Sequence, residues 1–136
     1  MEFKTDLITY EGIYRTILTE KLNVPTSEGR RVILANHMAI MMPLQIGVIE
    51  TREEGQLKHY AVNGGVLYFK DNVAEIVADS IVDVEEIDLK SAEAEKLKEE
   101  ERIANARREN ERLRAQVKLN VAENLIKAAK LYQKEE

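Results

Sequence analysis

The sequence predicts an all-β sandwich followed by a C-terminal α-helical hairpin, β then α in two domains. Three observations carry this prediction. All six glycines and both prolines lie between Gly12 and Gly65, so turn-forming residues are confined to the first half. Within that half, short runs of alternating apolar and polar residues are separated by turn signals, the pattern of closely spaced strands. After about Asp83 the composition shifts to Ala, Glu, Lys, Arg and Leu, with apolar residues recurring every four positions. The shift sets the expected boundary: residues 1–84 a β-sandwich, residues 85–136 a two-helix region.

The elements follow in order. "YRTILTEKLNV" alternates, with Tyr14, Thr16, Leu18, Glu20 and Leu22 on one face and Arg15, Ile17, Thr19 and Lys21 on the other. "VPTSEGR" reads as a turn, because Pro25 blocks a ladder bond and Gly29 permits positive φ. "QIGVIETREEGQLKHYAV" predicts a hairpin around "REEG", and "NGG" at residues 63–65 predicts a second, tighter break. "VLYFKDNVAEIVADSIVDV" gives two more strands around "KDN".

Asp88 is the expected N-cap of the first helix, with acidic residues crowding its opening turns. Leu89, Ala92, Leu97 and Ile103 form a thin apolar stripe, and Leu113, Val117, Val121 and Leu125 a stronger one, with Leu131 and Tyr132 beyond. "RRENER", residues 107–112, is polar throughout and marks the place for a turn. Nothing in it forces one, so one long helix and two hinged helices are both permitted. Charge divides the region. Residues 85–101 carry eight acidic and three basic side chains, and residues 102–130 eight basic and three acidic. Two readings fit: a solvated surface laced with i,i+4 pairs, or a basic arm that docks on an acidic protein surface.

Composition excludes several classes of chemistry. No cysteine is present, which removes disulfides, zinc–thiolate sites, iron–sulfur clusters and a thiol nucleophile. The net charge of −5 argues against a general nucleic-acid binder. No apolar run approaches the roughly 20 residues of a membrane span, and the N-terminus lacks the basic-then-apolar pattern of a signal peptide. The expectation is a soluble intracellular protein. "LANHMAIMMPLQIGV" concentrates His37, Met38, Met41 and Met42, donors that would suit a soft metal. No second His or Cys stands near to complete a site, so methionine as adaptable apolar filler is the better reading. Two histidines and no Gly-rich phosphate loop leave no recognisable catalytic constellation, so no enzyme and no catalytic residue is expected. His59 reads as a strand residue.

In order and spacing, six short pieces resemble the epsilon subunit of F-type ATP synthases. They are Thr9–Gly12, Pro25–Gly29, Ala35–Ile40, Ile46–Val48, Val62–Gly65 and Ile87–Asp88. The resemblance implies a non-catalytic rotor subunit whose sandwich links the central stalk to the membrane ring. It further implies that the helical end restrains ATP hydrolysis. The implied partners are the gamma subunit, the ring of c subunits and the catalytic alpha and beta subunits, with no nucleic acid and no direct membrane insertion. The implied place is the cytoplasmic face of the bacterial cell membrane, as a peripheral protein. Arg30, Asn36, His37, Met38, Met41 and Met42 fall on the stalk and ring side, with Asn36 and His37 in a buried turn at the sandwich edge. Arg107, Arg108, Arg112, Arg114 and Lys118 fall on the inhibitory contact. No cofactor or metal is implied.

Two departures from the family pattern stand out. Where many members read Glu-Gly-Glu-Leu-Gly, this chain has Glu28, Gly29, Arg30, Arg31 and Val32, which reverses a carboxylate near the ring contact. Some bacterial members bind ATP as a regulatory ligand through Ile/Leu-Asp-x-x-Arg-Ala. Here Ile87, Asp88 and Ala92 match, but Ser91 stands in place of the arginine. The bidentate cationic contact is missing, and the expectation is weak or absent ATP binding. The rival from another class is a free-standing β-sandwich adaptor whose helices pair with a partner coiled coil.

Overall fold

The computed structural model describes residues 1–134; Glu135 and Glu136, at the end of the expected helical region, lie outside the described residues. The chain divides into two compact units that meet between Asp83 and Val84. Eight strands make up the first: β1 Phe3–Thr9, β2 Gly12–Thr19, β3 Lys21–Thr26, β4 Gly29–Leu34, β5 Ile40–Glu53, β6 Gln56–Lys70, β7 Val73–Val77 and β8 Ile81–Asp83. They form one hydrogen-bonded sheet in the order β2-β1-β7-β6-β5-β3-β4, with β8 also on β6. β1 and β7 are parallel.

The long β5–β6 hairpin organises this unit. Glu54 and Gly55 turn the chain with φ of 52° and 79°, the left-handed pair that a two-residue type I′ turn requires. From Glu53↔Gln56 to Ile40↔Phe69 the register does not slip. Yet the inward-facing set changes parity along both strands. Met42 and Leu44 are buried at one end of β5 and Ile49 and Thr51 at the other, while Tyr60 and Val62 give way to Leu67 and Phe69 on β6. Such a flip marks strands that pass from one layer of the sandwich to the other.

The crossing is located at Asn63–Gly65, and it corrects the expected break at "NGG": β6 runs straight through. Before the crossing β6 pairs with β8 along Tyr60–Val62, and after it with β7 along Val66–Lys70. Gly64 and Gly65 supply φ of 93° and 113°. A Cβ on Gly65 would lie 2.3 Å from the carbonyl oxygen of Val77. Asn63 completes the change of partner by accepting the Ser80 N–H at 2.9 Å through its side chain. An Asn-Gly pair makes a hairpin only when the following strand folds back on the preceding one; here β5 holds both halves in line.

Two further expectations change. The run from Tyr14 to Leu22 is not one strand: it breaks at Glu20. In β2 Ile17 and Thr19 face the core, and in β3 Leu22 and Val24 do, while Leu18 is exposed. The Thr19 hydroxyl donates to the Lys21 carbonyl at 2.8 Å, fixing the kink. Pro25 lies within β3, opposite Arg30, and the turn falls after it. The β3–β5 ladder covers Lys21–Asn23 and ends before Pro25, so its missing N–H is not needed there.

Phe3 and Phe69 meet edge-on inside the core, with centroids 5.3 Å apart. A polar network forms around Tyr60 in the other half of β6. Tyr60, fully buried, donates to Glu53 at 2.9 Å and accepts from Arg15, whose guanidinium holds Asp83 at 2.8 Å. Burial pushes the Tyr60 phenol upward, and its bond to Glu53 adds to this against the opposing effect of Arg15. It stays protonated, which is what lets it donate.

The second unit opens with a 3₁₀ turn at Val84–Glu86, followed by α1 (Leu89–Asn105) and α2 (Glu109–Tyr132). Three residues, Ala106–Arg108, connect the helices, so they run antiparallel as a hairpin. Asp88 caps α1 as expected, but the first turn of α1 carries no acidic residue; Glu85 and Glu86 lie upstream in the 3₁₀ turn. Of the expected stripe positions only Ala92 is buried, and Leu89, Ile103, Val121 and Leu125 are half-buried. Leu97, Leu113 and Val117 are exposed by 69%, 51% and 58%. The buried positions are Ala92 and Glu99 on α1 and Ala115, Leu119, Ala122, Ala128 and Ala129 on α2. Small side chains let two helix backbones approach closely, and such packing wins over the wider Leu/Val face. Gln133 ties the end of α2 back to the start of the unit, donating to the carbonyls of Val84 and Ile87 at 3.0 and 2.9 Å.

Two outcomes are expected. Gly65→Ala adds both a backbone clash and a strained φ, and should lower stability by about 3 kcal/mol or more in a denaturant titration. A change under about 1 kcal/mol would show that the crossing relaxes freely. A chain ending at Val84 should melt cooperatively, because the sheet and its core close without the helices; a non-cooperative melt would join the helices to the core.

Candidate functional site

Three places hold the residues singled out in the sequence. The first is the segment leading into β5. Asn36 takes φ of 66° and its N–H donates to the Asn72 side chain at 2.7 Å, so the bend is tied to the β6–β7 turn. The His37 Nδ1–H donates to the Met38 carbonyl at 2.7 Å, and the ring stands edge-on to Phe69 with centroids 5.9 Å apart. This turn was expected to be buried, yet Asn36 is exposed and His37 half-buried. Met38 and Met41 point outward, 75% and 66% exposed, whereas Met42 belongs to the core. Met42 is therefore packing, and Met38 and Met41 are surface. Val32 and Leu34 on β4 are exposed as well. Arg30 lies flat against β3, its Nε donating to the Asn23 side chain at 2.9 Å. Among the described residues no group of three or more His, Cys, Asp and Glu side chains is placed to hold a metal ion.

The second place is the opening of α1. Ile87 and Ala92 are buried. Both oxygens of Asp88 are engaged by Ser91: the backbone N–H donates at 3.1 Å and the hydroxyl at 3.0 Å. These bonds, the backbone one foremost, hold the Asp88 carboxyl below its usual value. Ser91 thus does more than replace an arginine. It bonds each oxygen of Asp88 once, while the exposed carboxylate keeps further acceptor capacity.

The third place is the start of α2 and the connection before it. Arg107, Arg108, Arg112, Arg114 and Lys118 are all exposed. Arg112 is clasped by Glu109, its Nε donating at 3.1 Å, with a second bond from Nη2. Arg114 and Lys118 stand one turn apart beside exposed Leu113 and Val117. The outer face of α2 therefore combines cations with uncovered apolar side chains.

Residues 2–84 match the family described as "ATP synthase, Delta/Epsilon chain, beta-sandwich domain". The chain is also 35% identical over 131 residues to the ATP synthase epsilon chain of Lactobacillus delbrueckii subsp. bulgaricus, covering 91% of this chain and 90% of that one. The epsilon chain of Lactobacillus helveticus is 31% identical over the same lengths. The chain belongs to the ATP synthase epsilon-chain family. In fold it is similar to a chain of the Euglena gracilis mitochondrial ATP synthase, with a TM-score of 0.77 at 22% identity, covering 93% of this chain and 81% of that one. A Tetrahymena thermophila mitochondrial ATP synthase structure gives 0.65 at 19% identity, covering 95% and 97%.

Within this epsilon-type architecture, two features escaped the reading of the sequence. The Arg15–Asp83–Tyr60–Glu53 network joins residues far apart in the chain, and no local pattern marks it. Glu99 is different. It is fully buried in the helical unit, and Ala92, Glu99 and Ala106 recur every seven residues, a spacing that was visible and went unused beside the larger Leu and Val.

Asp88 yields a prediction with a pH window. Its carboxyl titrates below the ordinary value of 3.8 in the fold, so the cap stabilises α1 above that pH and is lost as pH falls through the lower folded value. Asp88→Ala should reduce helical circular dichroism and its melting temperature at pH 7. The gap from the parent should close as pH is taken from 5 towards 2. A gap constant across that range would mean that the cap is not electrostatic.

Proposed function

We propose that this chain is the non-catalytic rotor subunit of an F-type ATP synthase, linking the central stalk to the membrane ring and restraining ATP hydrolysis through its helices. The single observation that supports this most is full-length similarity: the epsilon-chain relatives align over about nine-tenths of both chains, helices included. Among the described residues no helix is long and apolar enough to cross a membrane. A peripheral attachment through partner subunits at the cytoplasmic face of a bacterial membrane fits that.

In this reading the sandwich is the coupling piece, residues 1–84, and Met38 and Met41, together with Arg30, Asn36 and His37, form its stalk and ring side. Met38 and Met41 suit a surface that must adapt to a partner. The helical piece, residues 85–136, is the brake. Folded, α1 and α2 span about half the length of a single helix from 89 to 133, which would reach about 67 Å at ~1.5 Å per residue. The connection supports such a change. Ala106–Arg108 contains no Gly or Pro, and Arg108 makes no side-chain capping bond to α2, so nothing in it resists continuous helix. The long form would set Arg107, Arg108, Arg112, Arg114 and Lys118 on one axis with α1, reaching towards an acidic surface on the catalytic subunits. Leu113 and Val117 would add apolar contact there. ATP, if it binds at all, is a weak ligand, because Ser91 stands where the motif has an arginine and supplies no bidentate cationic contact.

Charge reversal of Arg108, Arg112 and Arg114 to Glu should raise ATP hydrolysis by the assembled complex and leave ion-coupled synthesis intact. Deleting residues 89–136 should do the same. The restraint on the parent should weaken with salt, since exposed charges are screened beyond roughly 8–10 Å. Unchanged hydrolysis in both variants at low salt would leave the basic stretch a solvated helix face. Failure of the chain to co-purify with the catalytic complex would favour the adaptor reading instead.

A further inference from the structure

Glu99, on α1 of the helical hairpin, is fully buried. α2 is the element packed against α1, and its buried side chains, Ala115, Leu119, Ala122, Ala128 and Ala129, are all apolar. None can answer a carboxylate. The counter-charge comes from the same helix: Arg102 Nη1 donates to Glu99 at 2.7 and 3.4 Å, and the Arg102 side chain is 49% exposed.

This arrangement has a direction. An i,i+3 pair on one helix survives when that helix separates from its neighbour or continues as a longer helix. Opening therefore costs Glu99 no partner and returns its carboxylate to water. Closing strips the carboxylate of water, and among the described residues its hydrogen bonds go to Arg102 alone; burying a charge costs free energy that a half-exposed partner only partly offsets. Resting on the proposed folding and extension of the helices, we propose that Glu99 is a built-in opposing element: its burial sets the balance between the hairpin and the extended helix, keeping the hairpin weak enough to open. The rest of the seam is consistent with this, because alanine packing adds little apolar area per residue.

The absence of cysteine permits a direct test on the full chain. Spin labels at Ala94→Cys and Glu123→Cys, both exposed positions, lie on neighbouring helices in the hairpin, where helix axes are about 8–10 Å apart. In one continuous helix the same 29-residue separation spans about 44 Å. Pulsed dipolar distance measurement then reports the two populations. Glu99→Leu should raise the short-to-long ratio about tenfold, and Glu99→Gln should move it the same way by less. Arg102→Ala, which leaves the buried carboxylate without its partner, should lower the ratio. Glu100→Leu, on the exposed face of the same helix, should leave it unchanged. Opposite signs for Glu99→Leu and Arg102→Ala are what a merely damaged seam would not produce. If both distances are present but Glu99 substitutions leave their ratio alone, the role of Glu99 falls and the two-state helices stand. If every variant shows the short distance alone, the extended form itself falls, and the role of Glu99 with it.

Discussion

The sandwich depends on the β5–β6 hairpin keeping one register across its whole length while its two ends serve different layers. Every other strand is attached to this pair directly or through one or two neighbours: β3 and β4 on the β5 side, β8, β7, β1 and β2 on the β6 side. Holding the register while exchanging the inward face requires a local twist on β6. Gly64 and Gly65 supply it, and the contact distance at Gly65 shows how little room is left for a side chain. The hydrophobic core, including the Phe3–Phe69 contact, closes only because this crossing brings the two inner faces together.

The helical unit is held by weaker means. Its seam is lined with alanines and one leucine, it encloses a carboxylate, and its connection has no special backbone device. Its ends are nevertheless well defined, by Asp88 and Ser91 at the start of α1 and by Gln133 on the carbonyls of Val84 and Ile87. The proposed exchange of helical packing would keep the Asp88 cap but would have to break the Gln133 bonds, which hold the hairpin closed. A large Leu/Val interface would oppose that exchange more strongly, because each buried branched side chain would contribute about 1.5–3 kcal/mol against opening. In the proposed reading, leaving Leu97, Leu113 and Val117 outside the seam limits what opening would cost and leaves those exposed side chains for another surface.

The sequence by itself determined the fold class, the boundary near residue 84, the "REEG" hairpin, the Asp88 cap and the family. These rest on local chemistry. Glycine conformation, alternation, capping and composition act over a few residues and are legible there. Tertiary structure decided the rest. Whether "NGG" ends a strand depends on what lies beside it, and β5 is supplied from twenty residues upstream. Which helix face is buried depends on how closely two backbones approach, so Ala115 and Ala122 won over Leu113 and Val117 although hydropathy ranked them otherwise. Met42 sits inside and Met41 outside for the same kind of reason: adjacent residues in a strand face opposite ways, and only the completed sandwich says which way is in.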